Sequence, residues 1–213
     1  MPFTRHPAWV LVLMAGLVTL LLAFGVLMLV GTRENAPLVR TSGQADIGGP
    51  FTLVNDAGET VTEADFAGRA MLIYFGFTYC PDICPTSLQK MTAALDLLSE
   101  DERARIQPIL ISVDPERDTP DALADYVMSP AFPEGLVGLT GSPEQIAAVA
   151  SEYRVLFNPT EEGRDNGTYL VDHTSFTYLM DGEGDFVTVF GPGHTPQAMA
   201  DTLKDFLDQD ARS

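Results

Sequence analysis

The sequence predicts an α/β fold, a mixed sheet flanked by helices and opened by an N-terminal hairpin, with one transmembrane helix ahead of it. Three observations carry that expectation. Short continuous apolar runs such as MLIYFGF (71–77) alternate with segments of helical period. Three helical segments open on a hydroxyl residue followed by proline, at Thr119-Pro120, Ser142-Pro143 and Thr195-Pro196. Before all of these stands an uncharged apolar run from Ala8 to Gly31.

That run is long enough to cross a hydrocarbon core of about 30 Å as a helix. A cleavable signal peptide has a shorter apolar region, roughly 7–15 residues. The small-residue triplet Ala23-Phe24-Gly25 lies inside the run and not after it, which favours a retained anchor. Arg5 on the leading side and Arg33 and Arg40 on the trailing side nearly balance. Orientation is therefore read from domain content: a very short leading tail and one long trailing domain place the domain outside. The leader is not of the Arg/Ser-rich amphipathic type that targets an organelle. The expected layout is a cytoplasmic tail (1–7), an anchor (8–31), a linker (32–44) and a periplasmic domain (45–213), held at a bacterial inner membrane. The linker, TRENAPLVRTSGQ, lies in a Gly-, Pro- and Ser-bearing stretch without apolar period.

Within the domain, PFTLVNDAGETVT (50–62) reads as a hairpin turning at Asp56-Ala57-Gly58. MLIYFGF is a buried strand that hands over to a cysteine-bearing loop. The helix after it, PTSLQKMTAALDLLSE, spaces Leu88, Met91, Leu95 and Leu98 at helical intervals. QPILISV (107–113) is a second buried strand, TPDALADYVMS a capped helix, GLVGLT a short strand and SPEQIAAVASEYRV another capped helix. TYLVDHTSFTYLMD and DFVTVFG, joined through Gly182-Glu183-Gly184, read as a hairpin, and TPQAMADTLKDFLDQD closes the chain as an amphipathic helix. Strands alternating with helices and ending in a hairpin suggest a thioredoxin-like sandwich.

From Ala45 onward there are 9 basic and 29 acidic residues, a net of about −20. Nucleic acid and anionic lipid surfaces are poor partners for such a domain. The charge serves solubility first.

The two cysteines of the chain, Cys80 and Cys84, stand in YCPDICP between the buried strand and its helix. Unpaired amides at a helix start favour thiolate, which is both nucleophile and metal ligand. A domain of this size gains little from closing so short a disulfide loop, so a purely structural bridge is disfavoured. A CxxC pair here would indicate a dithiol oxidoreductase. The additional residue leaves room for an atom between the sulfurs, and the spacing tolerates metal and disulfide alike.

Further donors are few, because the chain has three histidines. His6 is assigned to the far side of the membrane. His194 precedes a helix start and reads as an exposed loop residue. His173, at the entrance to a strand expected to be buried, would be a satisfied core histidine on burial cost alone. Cys, Cys and His together suit Cu(I), or Cu(II) with an added oxygen donor, while zinc with an open position uses the same set. The methionines beyond the anchor, Met71, Met91, Met128, Met180 and Met199, form no cluster in the sequence and read as core filler.

YFGFTYCPDICPTSLQKM, ISVDPERDTP and YLVDHTSFTYLMD, in that order after one anchor and an IGGPFTLVNDAGETVT opening, resemble the SCO/SenC family of copper proteins. The resemblance runs from about Ala45 to the C-terminus. It implies a thioredoxin-like fold and copper bound by Cys80, Cys84 and His173. It also implies a role in building the dinuclear copper centre of cytochrome c oxidase subunit II, by delivering copper or by reducing that subunit's cysteines. A periplasmic copper donor is implied as a second partner. Tyr79 stands where many members have His or another aromatic residue. Asp82 and Asp172 are candidates for an oxygen donor or for a partner fixing the imidazole tautomer, with exposed turn and strand-end acids the favoured reading. Asp114 is expected to shape the loop after its strand.

A metallochaperone is thus the leading expectation, and a thiol-disulfide reductase acting on the copper acceptor is the alternative. Against the enzyme, the pair is CxxxC and no proline occurs between Gly163 and Gly191. A peroxiredoxin pattern would need Pro and Thr at Ile73 and Phe77.

Overall fold

A computed structural model of the chain describes residues 47–210. The expected tail (1–7), transmembrane anchor (8–31) and linker (32–44) lie outside the described residues. Among the described residues no helix is long and apolar enough to cross a membrane.

The first hairpin forms as the sequence suggests. Strands β1 (Thr52–Asn55) and β2 (Thr60–Thr62) pair antiparallel, Leu53 opposite Val61. The side chain of Asn55 accepts hydrogen bonds from the Ala57 and Glu59 amides (3.0 and 2.8 Å), and Gly58 supplies the positive φ of 78° that the turn needs.

Two strands make the centre. β3 (Ala70–Gly76) and β4 (Ile106–Ser112) are buried at every position and run parallel, Ile73 beside Ile109. Burial on both faces is why they read as unbroken apolar runs and not as alternations. The sheet order is β2-β1-β5-β4-β3-β8-β9, with β5 (Val137–Thr140) parallel to β4, and β8 (Thr177–Met180) and β9 (Phe186–Phe190) antiparallel on the other side.

Helices cover this mixed sheet. They are α1 (Ile83–Leu95), the short α2 (Glu100–Ala104), α3 (Pro120–Val127), α4 (Pro143–Glu152) and α5 (Pro196–Asp210). Thr119 and Ser142 cap α3 and α4, accepting from the Ala122 and Gln145 amides at 3.3 Å each. Leu88, Met91 and Leu95 of α1 and Leu203 and Leu207 of α5 enter the core.

One segment departs from its expected form. TYLVDHTSFTYLMD is not a single strand: it splits into β7 (Val171–His173) and β8. β7 pairs with β6 (Phe157–Pro159) in a separate two-stranded sheet, and β8 joins the main sheet beside β3. Thr174 fixes the split. Its amide donates to the Leu156 carbonyl (2.9 Å) and its hydroxyl accepts from the Leu156 amide (3.1 Å), which ties the chain to the small sheet just before it crosses over. The polar run Asp172–Ser175 has no apolar alternation to hold it in the main sheet. The break matters, because His173 ends β7 and hangs between the two sheets.

Candidate metal centre

Strand β3 delivers the chain to Phe77, and three residues later Cys80 lies buried in the loop before α1. Cys84 is the second residue of α1 and has no exposed surface. An Asp at the N-cap ordinarily accepts a hydrogen bond from an amide of the first turn, but the Asp82 side chain makes none. The Cys80 sulfur takes that place, accepting from the Cys84 amide at 3.3 Å. A helix start thereby holds the first cysteine against the second.

His173 comes from the crossover after β7. Its Nε2 lies 3.4 Å from the Cys84 sulfur, and its Nδ1 lies 3.1 Å from the Thr174 carbonyl oxygen. A carbonyl only accepts, so Nδ1 carries the proton and donates, and the Nε2 lone pair faces the sulfurs. The ring stands edge-to-face against Tyr74 and Phe77, at centroid distances of 6.0 and 5.9 Å. The two sulfurs and a ring nitrogen all lie within 4.8 Å of one another. Gly76 leaves space for this approach: a Cβ there would stand 3.0 Å from the Cys84 sulfur and 2.8 Å from the Tyr74 ring.

The sulfurs share a proton unequally. A hydrogen bond from the Cys84 thiol is the largest influence holding Cys80 well below the ordinary thiol range, at about 4, and the amides of Cys84 and Asp82 add to it against the cost of burial. Cys84 is pushed up, first by that same hydrogen bond and then by burial. At neutral pH the pair is therefore one thiolate, Cys80, and one thiol. Burial, and then the nearby Cys84 sulfur, also raise the Tyr74 hydroxyl, so it stays protonated beside the site.

The donor set fits a soft ion of low coordination number. Two sulfurs and one imidazole converge in a buried cradle, and among the described residues no fourth His, Cys, Asp or Glu joins them. Four protein ligands would be needed for a closed zinc site.

The remaining expected residues fall elsewhere. Asp82 is exposed, and its carboxylate accepts from the Thr86 hydroxyl at 3.4 Å. Asp172 is exposed, next to His173 on β7, and the Thr174 carbonyl performs the tautomer role for which Asp172 was a candidate. His194 is exposed in the loop before α5, accepting from the Gly191 amide at 3.0 Å and packed edge-on against Phe190. Asp114 is buried and does shape its loop, accepting from the Tyr169 hydroxyl (2.7 Å) and pairing with Arg117. Tyr79 is 59% exposed, its ring under the Arg117 guanidinium. Sequence reasoning did not single out Gly76, Arg117 or Asp118. Arg117 and Asp118 stand in VDPERDTP beside Asp114, and the cluster of charge directly after a buried strand was the available signal.

Comparison with known proteins gives a consistent picture. The SCO1/SenC family model matches residues 39–208. The mitochondrial SCO1 homolog 1 of Arabidopsis thaliana is 47% identical over 161 residues, which is 76% of this chain and 47% of that protein, so the chain spans about half the length of this relative. Among solved structures, Arabidopsis thaliana ScoI with copper bound is 46% identical, with a TM-score of 0.71 over 76% of this chain and 99% of that one. BsSco, described as a member of the Sco family of cytochrome c oxidase assembly proteins with a disulfide switch, is 27% identical, with a TM-score of 0.60 over 78% of this chain and 94% of that one. The family model spans the mixed sheet, its flanking helices and the segments that carry the two cysteines and His173, and on these matches the chain belongs to the SCO1/SenC family.

Proposed function

We propose that this protein is a membrane-anchored copper metallochaperone that helps to assemble the dinuclear copper centre of cytochrome c oxidase subunit II. The observation that carries the reading is the convergence of Cys80, Cys84 and His173 within 4.8 Å. Copper is the cargo. Cys80 offers a thiolate, Cys84 must give up its proton as the ion enters, and His173 presents the Nε2 lone pair already oriented by the Thr174 carbonyl.

Beside His173 the surface opens into a groove of about 360 Å³ lined by Leu156, Phe157, Asn158, Asp172, His173 and Thr174. Three protein donors leave a soft ion able to accept a partner's thiolate from such an opening, so release proceeds by ligand exchange and not by dissociation into solvent. The family resemblance supports subunit II as acceptor and a periplasmic protein as donor. The apolar run at 8–31 supports a single-pass anchor in a bacterial inner membrane, with the domain in the periplasm.

One observation favours a second reading. A thiolate at Cys80 next to a protonated Cys84 is also the arrangement of an attacking and a resolving thiol, so a reductase that keeps the acceptor's cysteines reduced stands as the alternative. The test loads the reduced full-length chain with Cu(I) without oxygen and compares wild type with His173→Ala. The chaperone reading expects copper retention and delivery to be lost together. Unchanged copper retention overturns it, and loss of copper with oxidase assembly intact favours the reductase.

A further inference from the structure

Thr78 and Tyr79 are the last two residues before Cys80 in the segment that follows β3. Both are held by one loop, residues 114–118, that contributes no ligand. The Asp118 carboxyl, with no exposed surface, accepts from the Thr78 amide (3.0 Å) and the Thr78 hydroxyl (2.6 Å). A third hydrogen bond comes from the Ser112 hydroxyl at the end of β4 (2.6 Å). The next residue back, Arg117, lies across three aromatic rings. Its guanidinium carbon is 3.7 Å from the ring centre of Tyr169, 4.6 Å from that of Tyr79 and 5.9 Å from that of Phe77. Asp114 pairs with it, and the Gly167 carbonyl accepts from it at 2.9 Å. Phe77 in turn packs against the edge of His173.

Burying a carboxyl and a guanidinium is costly, so each needs partners that compensate for the lost water. The cap of α3 is already supplied by Thr119. The hydrogen bonds of the Asp118 carboxyl go to a strand end, Ser112, and to the cysteine segment, Thr78, and Arg117 lies over the residue before Cys80 and the ring that backs His173.

We propose that Asp118 and Arg117 are positioning residues of the metal centre. Asp118 pins the cysteine segment at Thr78 to the end of β4, and Arg117 clamps Tyr79 and Phe77. Together they hold the Cys80 sulfur and the His173 ring within reach of each other before an ion arrives. The site is then organised by the fold and not by the metal, which spares the ordering cost at binding. This rests on the copper reading of Cys80, Cys84 and His173.

The test uses the reduced full-length chain without oxygen and the variants Thr78→Val, Asp118→Asn and Arg117→Lys. Thr78→Val removes one of the two hydrogen bonds from Thr78, and Arg117→Lys keeps the charge but loses the flat stacking. Cu(I) affinity is measured by competition with a chromophoric chelator, the sulfur-to-Cu(II) charge-transfer band is recorded, and the metal-free forms are unfolded in denaturant. Each of Asp118→Asn and Arg117→Lys should weaken copper binding about ten-fold or more, as expected when support for a metal ligand is removed. The charge-transfer band should shift, and Thr78→Val should show a smaller effect of the same kind. Variants that fold less stably but bind copper with wild-type affinity and an unshifted band overturn the proposal. Should Asp118→Asn fail to fold, the other two variants decide it. Failure of the wild-type chain itself to retain Cu(I) overturns the copper reading beneath it, a distinct outcome.

Discussion

The Nε2 atom of His173 lies 3.4 Å from the sulfur of Cys84, a residue 89 positions earlier in the chain. Neither strand pairing nor helix packing alone produces that contact. It exists because the 168–181 segment leaves the small sheet at Thr174 and crosses to β3, presenting the imidazole at the mouth of α1. The site is the place where two sheets and one helix start meet.

Gly76 should tolerate no side chain. A Cβ placed there meets the Cys84 sulfur at 3.0 Å and the Tyr74 ring at 2.8 Å, with the neighbouring core fully packed. Gly76→Ala is expected to cost about 1–3 kcal/mol in denaturant unfolding, the range for overpacking a core, and to weaken copper binding in the same protein. Wild-type stability together with wild-type copper binding would show that the cradle is not tight.

The two cysteines should react at different rates. Cys80 is the thiolate and keeps a small exposed surface, while Cys84 is protonated and fully buried. Brief treatment of the reduced, metal-free chain with iodoacetamide, mapped by mass spectrometry, should label Cys80 first. Equal labelling, or labelling of Cys84 first, contradicts the assignment.

Asp118 gives stability a pH dependence of definite sign. Burial raises its carboxyl above the ordinary value of about 4, against the opposing hydrogen bonds from Ser112 and Thr78. Between the unfolded value and the higher folded value, the folded chain keeps a proton that the unfolded chain has released. Stability therefore falls as pH rises through that window; the cost is absent below it and complete above it. Asp118→Asn lacks this titration. The stability of wild type minus that of the variant should decline as pH climbs from about 4, and a difference that is flat or rises with pH contradicts the account.

Much of this was legible in the sequence. The buried runs 71–77 and 107–113, the Ser/Thr-Pro caps and the Asp56–Gly58 turn each report a local rule, and each forms where that rule puts it. The site was legible in part for the same reason. A cysteine pair between a buried strand and a helix start declares itself by position, whereas His173 needed the family resemblance, since nothing local distinguishes a ligand from a satisfied core histidine. The split of 168–181 into two strands and the grip of Asp118 on Thr78 depend on contacts 18 and 40 residues apart. Periodicity does not encode such contacts.

The most direct measurement of the central claim is X-ray absorption at the copper edge of the Cu(I)-loaded full-length chain, wild type and His173→Ala. A site made by Cys80, Cys84 and His173 predicts two sulfur scatterers and one nitrogen in the wild type, with the nitrogen lost in the variant. A wild-type spectrum with sulfur alone, or a nitrogen that persists without His173, would contradict it.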